Sequence, residues 1–210
     1  MAEAKIIVLP VGELQSNCYL YLDQTSKETL IIDPGDDADY IERTIQDNDL
    51  KPKSIIATHC HFDHLMAVLE LKLAYKIPFA INCKDKFILE NMTSSAMHFI
   101  GIESGPPPAV DCCLKKAEKI RIGDCLLTVI ETPGHTPGSI CLYDKANTLL
   151  FTGDTLFAEG GIGRSDFSYS SHKNLIRSLK KIFKLPGNTS VFPGHGAASI
   201  LEEEKTLHNL

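Results

Sequence analysis

Short apolar runs alternate with amphipathic stretches along most of this 210-residue chain. Runs rich in β-branched and aromatic residues, closed by Gly, Asp or Pro, are typical of strands, and apolar residues at helical spacing predict helices between them. The predicted strands are, in chain order, "KIIVLPVG", "NCYLYLD", "TLIIDPG", "SIIATH", "PFAIN", "LLTVIETPG", "SICLYD", "TLLFTGD" and "TSVFPGHG". The predicted helices are "DDADYIERTIQDND", "HLMAVLELKLAYK", a helical region that begins with "KDKFILENM", "HKNLIRSLKKIFKL" and the tail "ASILEEEKTLHNL".

Two details of this pattern concern the middle of the chain. In the second predicted helix, Leu65, Leu69 and Leu73 lie at helical spacing and are expected to share one apolar face. Residues 92–119 are the least regular part of the chain, and the three consecutive prolines of "GIESGPPPAVDCC" predict a loop.

The order of these elements predicts the fold class. A strand-rich start, a strand–helix alternation, a second strand-rich part and a last helix and strand suit two mixed β-sheets flanked by helices, a four-layer αββα sandwich. A doubly wound parallel sheet is the alternative. The short gaps within residues 126–154 favour antiparallel neighbours, because parallel neighbours need a long crossover. Since the chain shows no repeat and no linker, residues 1–210 are expected to form one domain.

The composition narrows the class of protein. Hydrophobic residues make up 43% of the chain and charged residues 23%, which is ordinary for a globular protein. A formal net charge of −6 argues against a general nucleic-acid binder, which usually carries a basic face. The start "MAEAKIIVLPVG" lacks the features of a signal peptide, and no stretch approaches the ~18 apolar residues of a transmembrane helix. We therefore expect a cytoplasmic protein, monomeric or homodimeric, without a nucleic-acid or membrane partner.

Seven cysteines raise the question of disulfides or a zinc finger. The count is odd, no CxxC spacing occurs, and the expected compartment is reducing, so the cysteines are predicted to be reduced thiols. Cys18, Cys125 and Cys141 lie in strand-like runs, where free cysteine behaves as a small buried hydrophobe. Cys112 and Cys113 are adjacent, and adjacent residues of a strand point to opposite faces.

The stretch "ATHCHFDHLMAV" places three histidines and an aspartate within six positions: His59, His61, Asp63 and His64. It follows a predicted strand and precedes a predicted helix, so these side chains lie at a strand exit. Histidines also occur in loops merely as hydrogen-bonding residues, and taken alone this run could be explained in that way.

Three further polar residues follow other predicted strands. His135 lies in the turn "ETPGHTPGS", Asp154 ends "LLFTGD", and His195 lies in "VFPGHG". Strand ends of one sheet edge converge in space, and imidazole together with carboxylate suits zinc, iron or manganese. The combined set predicts a metal site. The remaining histidines lie in helix-like or terminal segments and are expected to have no role in it: His98, His172 and His208.

The residues His59-Cys60-His61-Phe62-Asp63-His64 match HxHxDH, and in this the chain resembles the metallo-β-lactamase superfamily. Asp33 in "IIDPG", "TPGHTPGS", "GDTLF" and "PGHG" match its other elements in order, over nearly the whole chain. The phrases "FTGDTLF" and "GGIGRSDF" are most similar to single-domain glyoxalase II-like hydrolases. Two departures are Ala67, where a glycine is more usual, and "RSDFSYSS", where the family often has a Pro-Gly-Gly turn.

The resemblance implies two divalent metal ions, with zinc expected and iron or manganese as alternatives. It assigns one ion to His59, His61 and His135, the other to Asp63, His64 and His195, and a bridging position to Asp154. His59 and His61, two apart on an extended loop, can face one ion, whereas Asp63 and His64 begin the predicted helix and face elsewhere, which agrees with this division. Asp33 is expected to hold a loop or a ligand in place rather than to bind metal.

The activity that the resemblance implies is hydrolysis of thioesters such as S-lactoylglutathione, with Asp63 as a catalytic residue as well as a ligand. A water between two dications loses a proton near neutral pH, whereas bulk water has a pKa of about 15.7. The metal-bridging hydroxide would attack the carbonyl carbon, and a thiol with a pKa of about 8.5 leaves readily as thiolate. Cys60 is expected to point away from the metals, so a covalent thiol mechanism is not favoured.

Other functions remain open at this point. A bridging hydroxide could equally attack a β-lactam, a lactone or a phosphodiester, and a sulfur dioxygenase with a single iron could use the same scaffold. A purely binding role would require a vestigial set of ligands, although none is missing. The expected partner is a small-molecule thioester, and Lys115, Lys116 and Arg164 are the cations that could meet a substrate carboxylate, although surface charge explains them as well.

Overall fold

Two six-stranded sheets form the centre of the computed structural model, which describes residues 3–208. Each sheet consists of strands that follow one another in the chain. The first sheet contains β1 Ala4–Val11, β2 Ser16–Asp23, β3 Glu28–Ile32, β4 Lys51–Ile56, β5 Phe79–Ile81 and β6 Cys112–Cys113. The second contains β7 Lys119–Ile122, β8 Cys125–Glu131, β9 Ile140–Asp144, β10 Leu149–Gly153, β11 Ser190–Pro193 and β12 Ser199–Ile200.

Both sheets are mixed. β1 to β3 pair antiparallel, whereas β3 to β6 run parallel. In the second sheet the neighbours pair antiparallel apart from β10 and β11, which are parallel and are joined through a helix. The predicted αββα sandwich is confirmed, as is the antiparallel arrangement within residues 126–154. The doubly wound alternative is wrong.

The helices lie on the outer faces of the sheets. They are α1 Ala38–Asp47, α2 Val68–Tyr75, α3 Lys86–Glu90, α4 Met92–Ile100, α5 His172–Ile182 and α6 Leu201–His208. Three short 3-10 helices, Phe62–His64, Cys83–Asp85 and Ala158–Gly160, interrupt the loops. Among the described residues, no helix combines the length and the apolar character needed to cross a membrane.

Alternate residues of the central strands pack on opposite sides of each sheet. Tyr21 and Ile32 pack with Leu142 and Phe151 of the other sheet in the apolar layer between the sheets. Leu20 of β2 belongs instead to the layer beneath α1, α2 and α4. A third layer joins the second sheet to α5 and α6. Because both faces are buried, these strands are continuous apolar runs rather than alternating ones.

The second predicted helix differs from the expected one. The segment Phe62–His64 forms a 3-10 turn, so the α-helix starts only at Val68. Its buried face consists of Val68 and Leu71, whereas Leu73 is 66% exposed. The expected face of Leu65, Leu69 and Leu73 is therefore wrong, because the turn changes the angular register between Leu65 and the helix.

Residues 92–119 contain more regular structure than predicted. Met92–Ile100 form α4. Only Met92 and Ala96 of this helix are buried, so the sequence shows little of the apolar spacing that predicts a helix. The proline-containing segment 101–111 has no regular structure, as expected.

The prediction that every cysteine is a reduced thiol is wrong for two of them. Cys83 and Cys113 form a disulfide, with Cα atoms 5.2 Å apart. Cys113 lies in β6 and pairs with Ile81 at the end of β5, so sheet formation brings together two residues separated by 30 positions. The free cysteines Cys18, Cys60, Cys125 and Cys141 are buried, and Cys112 is exposed.

Candidate metal centre

The loop that follows β4 carries the first four candidate ligands, and Asp33 fixes its course. Asp33 follows β3 and accepts hydrogen bonds from the backbone N–H and the hydroxyl of Thr58, both at 2.6 Å. One of its oxygens also lies 3.3 Å from Nδ1 of His64. Asp33 could form a third potential metal group with His59 and His64, but both of its oxygens are already engaged by Thr58. It therefore orients the loop.

The structure brings all seven predicted ligands to one place, in two groups of three on either side of Asp154. In the first group, Nε2 of His135 lies 2.9 Å from Nδ1 of His61, and Nε2 of His59 lies 4.0 Å from Oδ2 of Asp154. The ligand atoms of these three histidines lie within 4.8 Å of one another. Oδ2 of Asp154 is 3.6 Å from Nε2 of His135.

The second group contains a carboxylate. Oδ2 of Asp63 lies 3.4 Å from Nε2 of His64 and 3.2 Å from Nε2 of His195. Asp154 is again the neighbour, at 3.6 Å from His64 and 3.8 Å from His195. Asp154 thus has an oxygen within 4 Å of a histidine nitrogen of either group, which suits a carboxylate shared between two ions.

Several of these donor atoms have no hydrogen-bond partner. Nε2 of His59, Nε2 of His64 and Oδ1 of Asp154 are buried and unpaired. Burying a polar atom without a partner costs about 1–3 kcal/mol, so such atoms in a native site call for a ligand. Unpaired imidazole nitrogens and carboxylate oxygens facing one another fit a divalent metal site.

Hydrogen bonds to the ring nitrogens that face away from Asp154 explain how the histidine rings are oriented. The hydroxyl of Thr58 donates to Asp33 and therefore accepts from Nδ1 of His59, at 3.2 Å. Nδ1 of His135 donates to the carbonyl of Arg164 at 2.7 Å, and Nδ1 of His195 donates to that of Leu14 at 3.1 Å. With the outer nitrogen protonated, the inner nitrogen of each neutral ring presents a lone pair.

The charge of the two groups differs. Burial, with neighbouring imidazoles, holds the pKa of His59 well below its usual range and lowers the pKa of His61 to about 3. Both rings are neutral at pH 7, which is the form that binds metal. Burial opposes protonation of His64 as well, but Asp63 and Asp154 outweigh it and raise its pKa to about 10. The second group therefore attracts positive charge, for which a proton and a metal ion compete.

Two glycines allow the backbone to pass close to the candidate ligands. A Cβ atom at Gly194 would collide with a carboxylate oxygen of Asp154, and one at Gly35 would collide with the carbonyl oxygen of Asp63. The hydroxyl of Ser16 donates to that same carbonyl. Gly35 of "DPG" and Gly194 of "PGHG" are therefore required by the approach of these loops to the candidate ligands.

Sequence reasoning missed Asp85, which joins two of the ligand loops. Its buried carboxylate accepts from the hydroxyl of Thr136 and the N–H of Gly138, both at 2.6 Å, and from the N–H of Cys60 at 3.2 Å. Burial raises the pKa of Asp85. Nothing in "NCKDKF" distinguishes this aspartate from a surface residue, so no sequence signal could have identified it.

Tyr169 was also missed, although the departure "RSDFSYSS" pointed to its segment. Its hydroxyl lies 2.9 Å from Nε2 of His61, the outer nitrogen of that ring. Tyr169 thus holds His61 as Arg164 and Leu14 hold the rings of His135 and His195. The other departure, Ala67, is buried, and its N–H donates to the carbonyl of Pro34 at 3.2 Å.

The remaining candidates lie outside this cluster. His98 and His172 are exposed, and His208 packs near Phe183 at the end of α6. Cys60 belongs to the apolar layer beneath the helices, and burial raises the pKa of its thiol well above the usual range. A buried neutral thiol is a poor nucleophile.

A cavity of ≈ 470 Å³ opens onto the cluster. Five of the seven candidate ligands line it: His61, Asp63, His135, Asp154 and His195. Of the three cations considered from the sequence, Arg164 lines the cavity, whereas Lys115 and Lys116 are exposed elsewhere.

Comparison with known proteins places this geometry in context. The profile of the Metallo-beta-lactamase superfamily matches residues 11–195. Hydroxyacylglutathione hydrolase GloC of Haemophilus influenzae is 34% identical over 95% of this chain and 94% of its own length. Mitochondrial persulfide dioxygenase ETHE1 of Mus musculus is 30% identical over 98% of this chain and 76% of its own length. The crystal structure of BLEG-1 B3 metallo-beta-lactamase superimposes with a TM-score of 0.89 at 32% identity, covering 96% of this chain and 97% of that one.

Proposed function

Because the chain belongs to the metallo-β-lactamase superfamily, we propose that it is a binuclear metal-dependent hydrolase of thioesters such as S-lactoylglutathione. The observation that supports this most directly is the position of Asp154, which lies between two groups of three donors. Its Oδ1 and a buried imidazole nitrogen of each group have no hydrogen-bond partner. Similarity to GloC over nearly the whole chain supports the thioester as substrate class.

In the proposed centre, His59, His61 and His135 would hold one divalent ion, Asp63, His64 and His195 would hold the second, and Asp154 would be shared between them. When bound, such ions lower the pKa of a water molecule and polarise a carbonyl oxygen. Zinc is the proposed ion, with iron or manganese as alternatives, because imidazole and carboxylate ligands suit all three.

The residues of the chain position the reactants. Although burial opposes its ionisation, Asp63 is held as a carboxylate, since His64 and His195 keep its pKa well below the usual range. Asp63 lines the cavity, so we assign it the role of orienting the attacking water through a carboxylate oxygen. The water oxygen bonds to the carbonyl carbon, the C–S bond breaks, and its electron pair leaves on sulfur. A thiol with a pKa of about 8.5 leaves without a strong acid.

A sulfur dioxygenase is the second candidate, and the similarity to ETHE1 favours it. This alternative predicts one iron per chain and consumption of oxygen. β-Lactam hydrolysis is a further possible activity of the same centre, which similarity to BLEG-1 supports. The convergence of both donor groups on Asp154 favours the binuclear hydrolase over the mononuclear enzyme.

Metal content and turnover test the proposal together. We expect close to two first-row metal ions per chain by elemental analysis of protein from metal-replete medium. Thioester hydrolysis should stop after chelation and return when zinc, iron or manganese is added back. Hydrolysis is followed by loss of the ultraviolet absorbance of the thioester, because thiol reagents would also react with the exposed Cys112. Less than one metal per chain, or oxygen consumption with a single iron, would contradict the proposal.

A further inference from the structure

The cavity beside the candidate metal centre has an aromatic wall. Five rings line it: Phe62, Phe99, Phe157, Phe167 and Tyr169. Their positions tie them to the centre, because Phe62 lies between two candidate ligands in the chain. The ring of Phe167 lies 5.3 Å from the imidazole of His61, and that of Phe157 lies 6.2 Å from that of His195, measured between centroids. A group attached to a carbonyl carbon at the centre would therefore contact these rings.

Four of the five rings form two stacked pairs. Phe62 and Phe99 lie 6.0 Å apart with an interplanar angle of 11°, and Phe167 and Tyr169 lie 5.3 Å apart at 13°. A stacked pair presents flat faces and edges, against which another ring packs in offset or edge-to-face geometry. The cavity thus offers more specific contacts to an aromatic group than to a hydroxylated chain.

Some of this apolar surface is exposed to solvent. Phe99 is 53% exposed and Phe87, whose ring contacts Tyr169, is 42% exposed. Large apolar side chains clustered at the mouth of a cavity mark a binding surface, since covering them removes apolar area from water. An occupant that covers them gains affinity from its own apolar area as well.

Free positive charge is scarce in this cavity. Among the described residues that line it, Arg164 is the one lysine or arginine. Its guanidinium forms two hydrogen bonds with Asp166, at 3.0 and 2.9 Å, and lies 4.6 Å above the ring of Phe167. Because the carboxylate of Asp166 offsets the charge of Arg164 and occupies two of its nitrogens, the cavity provides little free positive charge to select a substrate by its carboxylates.

From these contacts we infer that the enzyme selects its substrate by an apolar, aromatic acyl group, and not by the carboxylates of the thiol carrier. The inference rests on the proposed thioester hydrolysis and specifies its substrate class: within the thioesters, an aromatic acyl group is preferred over the lactoyl group of S-lactoylglutathione. In this reaction one water molecule cleaves the C–S bond of an arylacyl thioester. Its oxygen and one proton go to the carboxylic acid that is formed, and the thiolate takes up the other proton.

Paired substrates test the inference on the metal-loaded protein. S-phenylacetyl- and S-lactoyl-N-acetylcysteamine share the thiol and differ in the acyl group. We expect kcat/KM for the phenylacetyl substrate to be at least tenfold higher, after each value is divided by the rate with hydroxide alone to remove differences in intrinsic reactivity. Hydrolysis of both without this preference would overturn the inference and leave the thioester hydrolase intact. Hydrolysis of neither would overturn the proposed function, and the acyl assignment with it.

A variant identifies the wall as the cause. Phe99→Ala removes an exposed ring of one stacked pair, and Leu73→Ala removes an exposed apolar side chain of α2 outside this cavity. We expect the preference for the phenylacetyl group to fall at least fivefold in Phe99→Ala and to be unchanged in Leu73→Ala. An unchanged preference in Phe99→Ala would overturn the inference, provided that circular dichroism shows both variants folded.

Product binding gives a measurement that does not depend on turnover. By calorimetry, the metal-loaded protein should bind phenylacetate at least tenfold more tightly than lactate, and this difference should shrink in Phe99→Ala. Lactate bound as tightly as phenylacetate would contradict the inference.

Discussion

The two donor groups on either side of Asp154 contain different kinds of side chain. The first consists of three imidazoles, and the side chain of His59 is only 1% exposed. The second contains the carboxylate of Asp63, and its His195, on the loop after β11, is 28% exposed. The first group offers imidazole nitrogens alone, whereas the second adds the negative charge of Asp63.

This difference suggests how the two sites divide their tasks. Outer hydrogen bonds hold all three rings of the first group, through Thr58, Tyr169 and the carbonyl of Arg164. The second group has outer support too, from the carbonyl of Leu14 to His195 and from Asp33 beside His64, but its His195 is 28% exposed. We therefore expect the first ion to be bound by a preorganised set of ligands, and the second ion to exchange more easily with solvent.

Removing the shared carboxylate should have the largest effect. Asp154→Ala removes the proposed shared ligand of both groups, so we expect hydrolysis to fall by at least about 10³-fold and metal content to fall to one ion or less. The fold should persist, because Asp154 lies after the end of β10 and outside the apolar layers. Circular dichroism checks this. Asp47→Ala, at the exposed end of α1, is the control. Near-normal turnover in Asp154→Ala would show that Asp154 does not bridge two ions.

Removing one histidine from each group tests the comparison itself. His195→Ala should leave about one ion per chain, with hydrolysis reduced by roughly 10²-fold, whereas His59→Ala should leave less than one ion. His98→Ala, exposed and outside the cluster, should retain two. Equal metal content in the His59 and His195 variants would mean that the groups do not differ as proposed.

The support of His64 can be weakened without removing a proposed ligand. Asp33→Asn keeps the shape of the side chain but removes the charge beside Nδ1 of His64. We expect the affinity for the second ion to fall by roughly 10–100-fold while the first ion stays bound, as measured by competition with a chelator. Loss of both ions together would indicate that Asp33 supports the whole loop through Thr58.

The smallest effect is expected at the first group. Tyr169→Phe removes the hydroxyl that holds His61 but keeps the aromatic ring. The affinity for the first ion should fall by about tenfold, and the visible spectrum of the cobalt-substituted protein should change because the ring of His61 can turn. An unchanged spectrum and affinity would show that packing alone orients His61.

The sequence predicted the candidate ligands, but it did not predict the residues that hold them in place. His59, His61, Asp63 and His64 form a recognisable run, and the remaining ligands follow apolar strands, so their convergence was predictable. Asp85 and Tyr169 were not predictable, since their roles depend on which loops meet after folding. The same reason hid the disulfide, because Cys83 and Cys113 become neighbours only through the pairing of β5 and β6.

The sequence by itself determined the αββα architecture and the seven candidate ligands, because apolar periodicity and residue chemistry are local properties of the chain. Tertiary structure alone decided that α2 starts at Val68 and buries Leu71 in place of Leu73, because a 3-10 turn shifts the helical register. It also decided the aromatic wall of the cavity, in which Phe62 stacks on Phe99. The wall depends on contacts between segments far apart in the chain, and the closure of loops onto one another is not encoded in any single stretch of residues.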